Sequence, residues 1–277
     1  MTLTVRNRFF IGGMILAGIS LAGVSAAAFF TLSSFPPLVE GAAQSSGGFF
    51  RIHLPRMLQG PSLYIPYWTI LASAIYSALG ISLCYLFFEK TQAPEIIFIG
   101  FFILSFSFEL NRLIMPLREL YPLPAVYLLW TPRLLLFGRY FGLFSLFAAS
   151  IYSAGFDIQT QLNVFFVSIL ASLVIILNVP IDILSWDTSL VFIKSYNTML
   201  TMIEGGIICV TGITFFISAY IQSSRYYLFI GLGSLLMALG RNILLHGDTW
   251  IFIPGIILLA LGTYLACVQL HRIYLWR

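Results

Sequence analysis

The chain alternates between long apolar stretches and short polar segments along most of its length. A helix needs roughly 20 mostly apolar residues to cross a bilayer, and about eight stretches reach that length. The pattern therefore predicts an all-α integral membrane protein with about eight transmembrane helices. Their approximate bounds are Phe9–Leu32, Tyr64–Phe88, Pro94–Met115, Ala125–Tyr152, Gln161–Leu184, Phe192–Ile221, Arg225–Leu245 and Trp250–Leu275.

The spacing of these stretches predicts one leading helix, an extracytoplasmic linker and a seven-helix bundle. The three parts are residues 1–32, 33–62 and 63–277. The first stretch follows Arg6 and Arg8, as in a signal peptide. Its apolar run is longer than a signal core, which favours a retained helix over a cleaved leader. The linker holds aromatic and basic residues over 49–57, so it is either an interfacial segment or a plain tether.

Composition supports the membrane class and argues against several others. Hydrophobic residues make up 60% of the chain and charged residues only 9%, whereas a soluble domain averages roughly 25% charged residues. The net charge of +4 comes without a run of Lys and Arg, so we expect no nucleic-acid partner. The three cysteines lie in apolar stretches and the three histidines are far apart in sequence. This pattern favours neither a metal site nor a disulfide framework, and we expect no cofactor.

The basic residues give a weak indication of orientation. A cytoplasmic N-terminus would place Arg6, Arg8, Lys90, Arg225, Arg272 and Arg277 inside, and Arg51, Arg56, Arg118 and Lys194 outside. This small excess agrees with the positive-inside rule. We therefore predict a multi-pass protein of the cell membrane, inner or plasma, with both termini in the cytoplasm.

Charged residues within the predicted spans are the main lead to function. Such residues cost roughly 2.5–3.5 kcal/mol each at the centre of a helix, so they tend to face the protein interior and have a role. In the third helix, Ser105, Glu109 and Arg112 follow α-helical spacing and should share one face. Alternation of helix direction predicts six charged residues at one level in the outer third of the bilayer, with Arg139 nearer the middle. The six are Glu109, Arg112, Arg133, Asp182, Glu204 and Arg241.

Two interpretations of this layer remain open. It is either an ion-pair network that fixes the register of the helices, or a polar cavity that opens toward the outer face and binds a ligand. With Arg139 included, the layer has four arginines and three acids. The surplus positive charge would favour an anionic small molecule, because the planar guanidinium suits a carboxylate or a phosphate.

Three functions are compatible with the pattern. The first is a sensor or receptor-like module, since one leading helix and seven bundled ones are similar in arrangement to the seven-helix sensor modules of bacterial signalling proteins, although no sequence motif marks that family. The chain ends two residues past the last apolar stretch, so a sensor would need a partner membrane or signalling protein. The second is a subunit of a membrane complex, and the third is a small transporter or channel for an anionic solute.

An enzyme is disfavoured. The acids at membrane depth are Glu109, Asp182 and Glu204, and their spacing does not single out an acid/base pair. The helices carry neither an H-E-x-x-H nor a G-x-S-x-G motif. We therefore assign no catalytic residue.

Overall fold

Within the part of the chain that the structure describes, eight helices are long and apolar enough to cross a membrane, as the hydropathy pattern predicts. The structure is a computed structural model, and it describes residues 3–34, 65–89, 91, 93–121, 124–186, 190–194, 197–245 and 250–275. The α-helices are α1 Leu3–Ser34, α2 Ile65–Phe88, α3 Pro94–Leu104, α4 Ile114–Leu120, α5 Ala125–Ser153, α6 Gln161–Asn178, α7 Asn197–Ile221, α8 Arg225–Leu245 and α9 Phe252–Leu275. The chain is thus an all-α polytopic membrane protein. Apart from its first two residues, which end α1, the predicted linker lies outside the described residues.

The third span differs from a plain α-helix. Between α3 and α4 the backbone forms a 3₁₀ segment, Ser105–Leu113, which is nine residues long, whereas 3₁₀ runs beyond 3–4 residues are uncommon. Side chains within it bond to the backbone three residues back. The Ser105 hydroxyl donates to the Phe102 carbonyl at 2.6 Å, and the Asn111 amide donates to the Phe108 carbonyl at 2.9 Å. Such local bonds compete with the regular helical pattern.

The connection between α6 and α7 corrects two predicted boundaries. The sequence predicts a fifth helix that reaches Leu184 and a sixth that begins at Phe192, but both ends belong to a short antiparallel hairpin. Its strands are β1 Ile181–Trp186 and β2 Phe192–Lys194. Pro180 is the physical reason, because it has no N–H to continue α6 and holds Val179 in an extended conformation.

The third span and α5 form the centre of the bundle. In the most apolar stretch of each helix, 78% of the residues of the third span and 72% of those of α5 are buried. The corresponding fraction is 22% for α6 and 22% for α7. The difference makes α6 and α7 peripheral helices, whose apolar faces remain exposed. The centre is therefore where a polar side chain is furthest from lipid and water.

Helices α8 and α9 are in contact along their backbones. A Cβ atom at Gly233 would lie 2.7 Å from the Gly262 carbonyl oxygen, and one at Gly240 would lie 2.8 Å from the Gly255 carbonyl oxygen. Small residues at these positions allow the close approach. The pair therefore forms one closely packed unit, which carries Arg241.

The leading helix α1 packs on α2 and on the third span. Gly13 faces Ile81 and Leu104, and Ser20 donates a hydrogen bond of 2.9 Å to the Ser107 carbonyl. Near the start of α1, Arg6 is buried and donates to the carbonyl oxygens of Phe88, Glu89 and Thr91. These are the carbonyls at and just beyond the end of α2, where a helix leaves its last oxygens without internal partners.

Candidate functional site: a buried charged cluster

Five of the seven charged residues singled out in the sequence meet in the interior of the bundle. We call them the charged cluster: Glu109, Arg112, Arg139, Glu204 and Arg241. They come from the 3₁₀ segment, α5, α7 and α8. Their relative exposures run from 0% for Arg112 to 7% for Arg139. All five side chains are therefore buried in this conformation.

The Arg139–Glu204 ion pair joins α5 to α7. Nη2 of Arg139 lies 2.5 Å from Oε2 of Glu204 and 3.3 Å from Oδ1 of Asn242, which belongs to α8. The Tyr140 hydroxyl lies close enough to interact electrostatically with both members of the pair. One guanidinium thus connects three helices. Arginine suits this role because its donors form a rigid fork.

A second ion pair lies within the 3₁₀ segment. Nη1 of Arg112 is 3.4 Å from Oε2 of Glu109. In a 3₁₀ helix, residues three apart are eclipsed, so Phe106, Glu109 and Arg112 form one row. The α-helical spacing that predicted Ser105 on the same face does not apply here.

Ser105 instead faces α8. Its hydroxyl accepts a hydrogen bond of 2.9 Å from Nη1 of Arg241. The Arg241 guanidinium carbon lies 4.8 Å from the ring centroid of Phe106 and 5.5 Å from that of Phe102, distances suited to cation–π attraction. Gly142 makes room for this arrangement, because a Cβ atom there would overlap both the guanidinium and the Ser105 hydroxyl.

Arg241 is the least compensated cation of the cluster. Its side chain is 2% exposed, and its Nε and Nη2 atoms have no hydrogen-bond partner among the described residues. Glu109 and Glu204 are close enough to attract it electrostatically, but each is already paired with another arginine. Three arginines and two glutamates leave one surplus positive charge, which we assign to Arg241.

The predicted layer also includes Arg133 and Asp182. Arg133 precedes Arg139 by six residues, about 9 Å along the helix axis, and its guanidinium lies 5.7 Å from the Trp130 ring centroid. Asp182 belongs to β1 and not to a spanning helix. The predicted layer therefore differs from the structure in that Arg139, not Arg133, is the residue of α5 that meets Glu204.

One buried polar contact lies apart from the predicted layer. Glu95, 2% exposed, accepts a hydrogen bond of 2.9 Å from the Tyr274 hydroxyl, which joins the start of α3 to the end of α9. In the sequence, Glu95 directly follows Pro94, a position typical of a first-turn acid at the membrane surface.

Gly138 and Gly142 on α5 are a signal in the sequence for the close packing around the charged cluster. Small residues four apart indicate a closely packed helix face.

Comparison with known proteins adds no family to this description. Neither protein-family models, nor curated proteins, nor solved structures match the chain. Among the described residues, no group of three or more His, Cys, Asp or Glu side chains is placed to hold a metal ion. Function must therefore be argued from the charged cluster itself.

Proposed function

We propose that the protein is a receptor-like sensor module of the cell membrane, which binds an anionic group at the charged cluster and acts through a partner membrane protein. The observation that carries this proposal is the position of Arg241, a buried cation with two donor atoms that have no partner among the described residues. The exposed apolar faces of α6 and α7 supply surface on which a partner in a membrane complex would pack.

Energetics favour a role beyond helix register. An uncompensated charge inside a bundle is costly and is seldom retained without function. A network that served only to hold helices would be expected to match every cation, as Arg139 is matched by Glu204. Arg241 departs from that pattern, because its one hydrogen bond within the described residues goes to a neutral hydroxyl.

The 3₁₀ segment supplies the conformational element that a sensor needs. A mid-helix 3₁₀ stretch often marks a functional hinge. Conversion of nine residues from a rise of about 2.0 Å to about 1.5 Å each would shorten the span by roughly 4–5 Å. The segment holds Arg241 through Ser105, and its Ser107 contacts Ser20 of α1 and Ser77 of α2. A change at Arg241 would thus reach the helices on the opposite side of the segment.

The proposal is tested by thermal unfolding of the full chain in mild detergent, with and without added anions at fixed ionic strength. We expect an anion to raise the melting temperature of the wild type and of Arg133→Gln, a matched arginine outside the cluster. The Arg241→Gln variant should lose the response. An equal response in all three proteins would refute anion recognition at the cluster.

A small transporter for an anionic solute is the second candidate. The interruption of the third span by the 3₁₀ segment favours it, since transporters commonly place their binding sites at broken helices. This candidate predicts anion flux in liposomes that is lost on Arg139→Ala. If the wild type gives no flux, or the variant gives the same flux, the transporter is removed and the sensor remains.

A further inference from the structure

We infer that Arg241 binds a small planar monoanion, a carboxylate or another flat oxyanion of single charge, through the Nε–Nη2 edge of its guanidinium. The inference rests on the proposed function and names its ligand class. It follows from the directions in which this guanidinium is already occupied, and from the charge that surrounds it.

Within the described residues, the contacts of the Arg241 guanidinium leave one of its edges unoccupied. Nη1 donates to Ser105, and the Phe106 and Phe102 rings lie 4.8 and 5.5 Å from its central carbon. The Nε and Nη2 atoms are buried without a partner in the described part of the chain. These two atoms present parallel N–H groups on one side of the guanidinium. That fork matches the two oxygens of a carboxylate.

The charge of the cluster limits the ligand to a monoanion. One negative charge would neutralise the surplus on Arg241. A dianion such as sulfate would leave a net negative charge beside Glu109 and Glu204, in a region where weak dielectric screening makes like charges strongly repulsive. A halide would satisfy the charge, but as a sphere it would not match both N–H groups.

One acceptor within the chain competes with this assignment. Oε1 of Glu204 is buried and lacks a hydrogen-bond partner among the described residues, while Oε2 is held by Arg139. A shift of Glu204 would allow Oε1 to accept from Arg241 without any ligand. In that case no added anion would bind at the cluster, which the experiment below detects.

The test is equilibrium binding of radiolabelled acetate to the full chain in mild detergent, with nitrate, chloride and sulfate as competitors at fixed ionic strength. We expect about one acetate per chain, displaced by nitrate and much less by chloride or sulfate. The Arg241→Lys variant retains the charge but loses the fork, so acetate affinity should fall by about tenfold or more. Arg133→Lys is the matched control and should bind as the wild type does.

Gly142→Ala is a second variant in case the lysine variant does not fold. This variant changes none of the five charged residues. Its Cβ atom would push the Arg241 guanidinium out of position, so acetate affinity should again fall. Stronger displacement of acetate by chloride or sulfate than by nitrate would overturn the planar ligand class and leave the proposed function standing. If neither acetate nor chloride nor sulfate binds, both the ligand class and the proposed function are overturned. If Arg241→Lys binds acetate with the affinity of the wild type, recognition through two parallel N–H groups is overturned.

Discussion

Arg6 and Arg241 are both buried arginines of spanning helices, yet their surroundings differ. Nη2 of Arg6 lies 2.7 Å from the Phe88 carbonyl oxygen and 2.7 Å from that of Glu89, and Nη1 donates to Thr91. Its positive charge lies at the C-terminal end of α2, where the helix dipole is negative. Arg241 has one hydrogen bond, to Ser105, within the described residues.

The contrast shows what a structural arginine in this bundle looks like. Arg6 donates to carbonyls at and just beyond the end of α2, where the helix supplies no N–H of its own to accept from. Arg241 is exposed to a similar extent, but its Nε and Nη2 atoms have no partner among the described residues. The two arginines therefore differ in how many donor atoms are in use within the described residues, and not in burial or charge.

The largest expected effect concerns the Arg139–Glu204 pair. Replacing Arg139 by Leu would leave Glu204 buried without its partner and should destabilise the protein by about 3–5 kcal/mol. The double variant Arg139→Leu/Glu204→Leu should recover most of this loss, because two apolar side chains can replace a buried pair. Detergent-induced unfolding, followed by circular dichroism, measures the difference. If the double variant is no more stable than the single one, the pair does not act as a unit.

A smaller effect is expected at Gly142. The Gly142→Ala substitution forces its Cβ atom against the Arg241 guanidinium and Ser105, so stability should fall by about 1–3 kcal/mol, as in other overpacked cores. Gly12 is the control, since a Cβ atom there would meet nothing within 4 Å. Gly12→Ala should leave stability unchanged or raise it slightly, because alanine is the better helix former. Equal losses at both glycines would show that the loss at Gly142 does not come from overlap with the guanidinium.

The smallest effect separates the two arginines directly. Arg6→Met removes the donor from carbonyls at the end of α2 and should cost about 1–2 kcal/mol. Arg241→Met removes a cation whose charge and donors are poorly matched, so it should change stability by less than about 1 kcal/mol. Thermal melts of both variants in the same detergent provide the comparison. A larger loss for Arg241→Met than for Arg6→Met would make Arg241 the structural residue and reverse the contrast.

The hydropathy pattern predicts the bounds of a helix well where the apolar run ends at the same residue as the helix. The bounds of α8, Arg225–Leu245, were predicted without error, and α2 differs by one residue. The hairpin after α6 was missed because the apolar run continues across Pro180, and hydropathy does not register a lost backbone N–H.

Membership of the charged cluster was also largely predictable, and so was the Glu109–Arg112 pair, because residues three apart on a helix are neighbours. The pairing of Arg139 with Glu204 was not. Counting from span limits singled out Glu109, Arg112, Glu204 and Arg241, all of which are members. The choice between Arg133 and Arg139 depends on how far α5 extends beyond its neighbours, and the length of an apolar run does not contain that information.

The local geometry of the third span could not be read from α-helical spacing either. That spacing places Ser105 beside Glu109, whereas the 3₁₀ backbone turns Ser105 toward Arg241. Ser105 and Asn111 donate to backbone carbonyls three residues back, and such bonds are not visible in a pattern of hydrophobic and polar positions.

The backbone contact between α8 and α9 also bears on how Arg241 enters the bilayer. During synthesis, a single helix that carries a buried arginine faces the full cost of exposing that charge to lipid. Because Gly233 and Gly240 lie against Gly262 and Gly255, the two helices can leave the insertion machinery as one preformed hairpin. Helices α8 and α9 would then bring Arg241 to the third span as one unit.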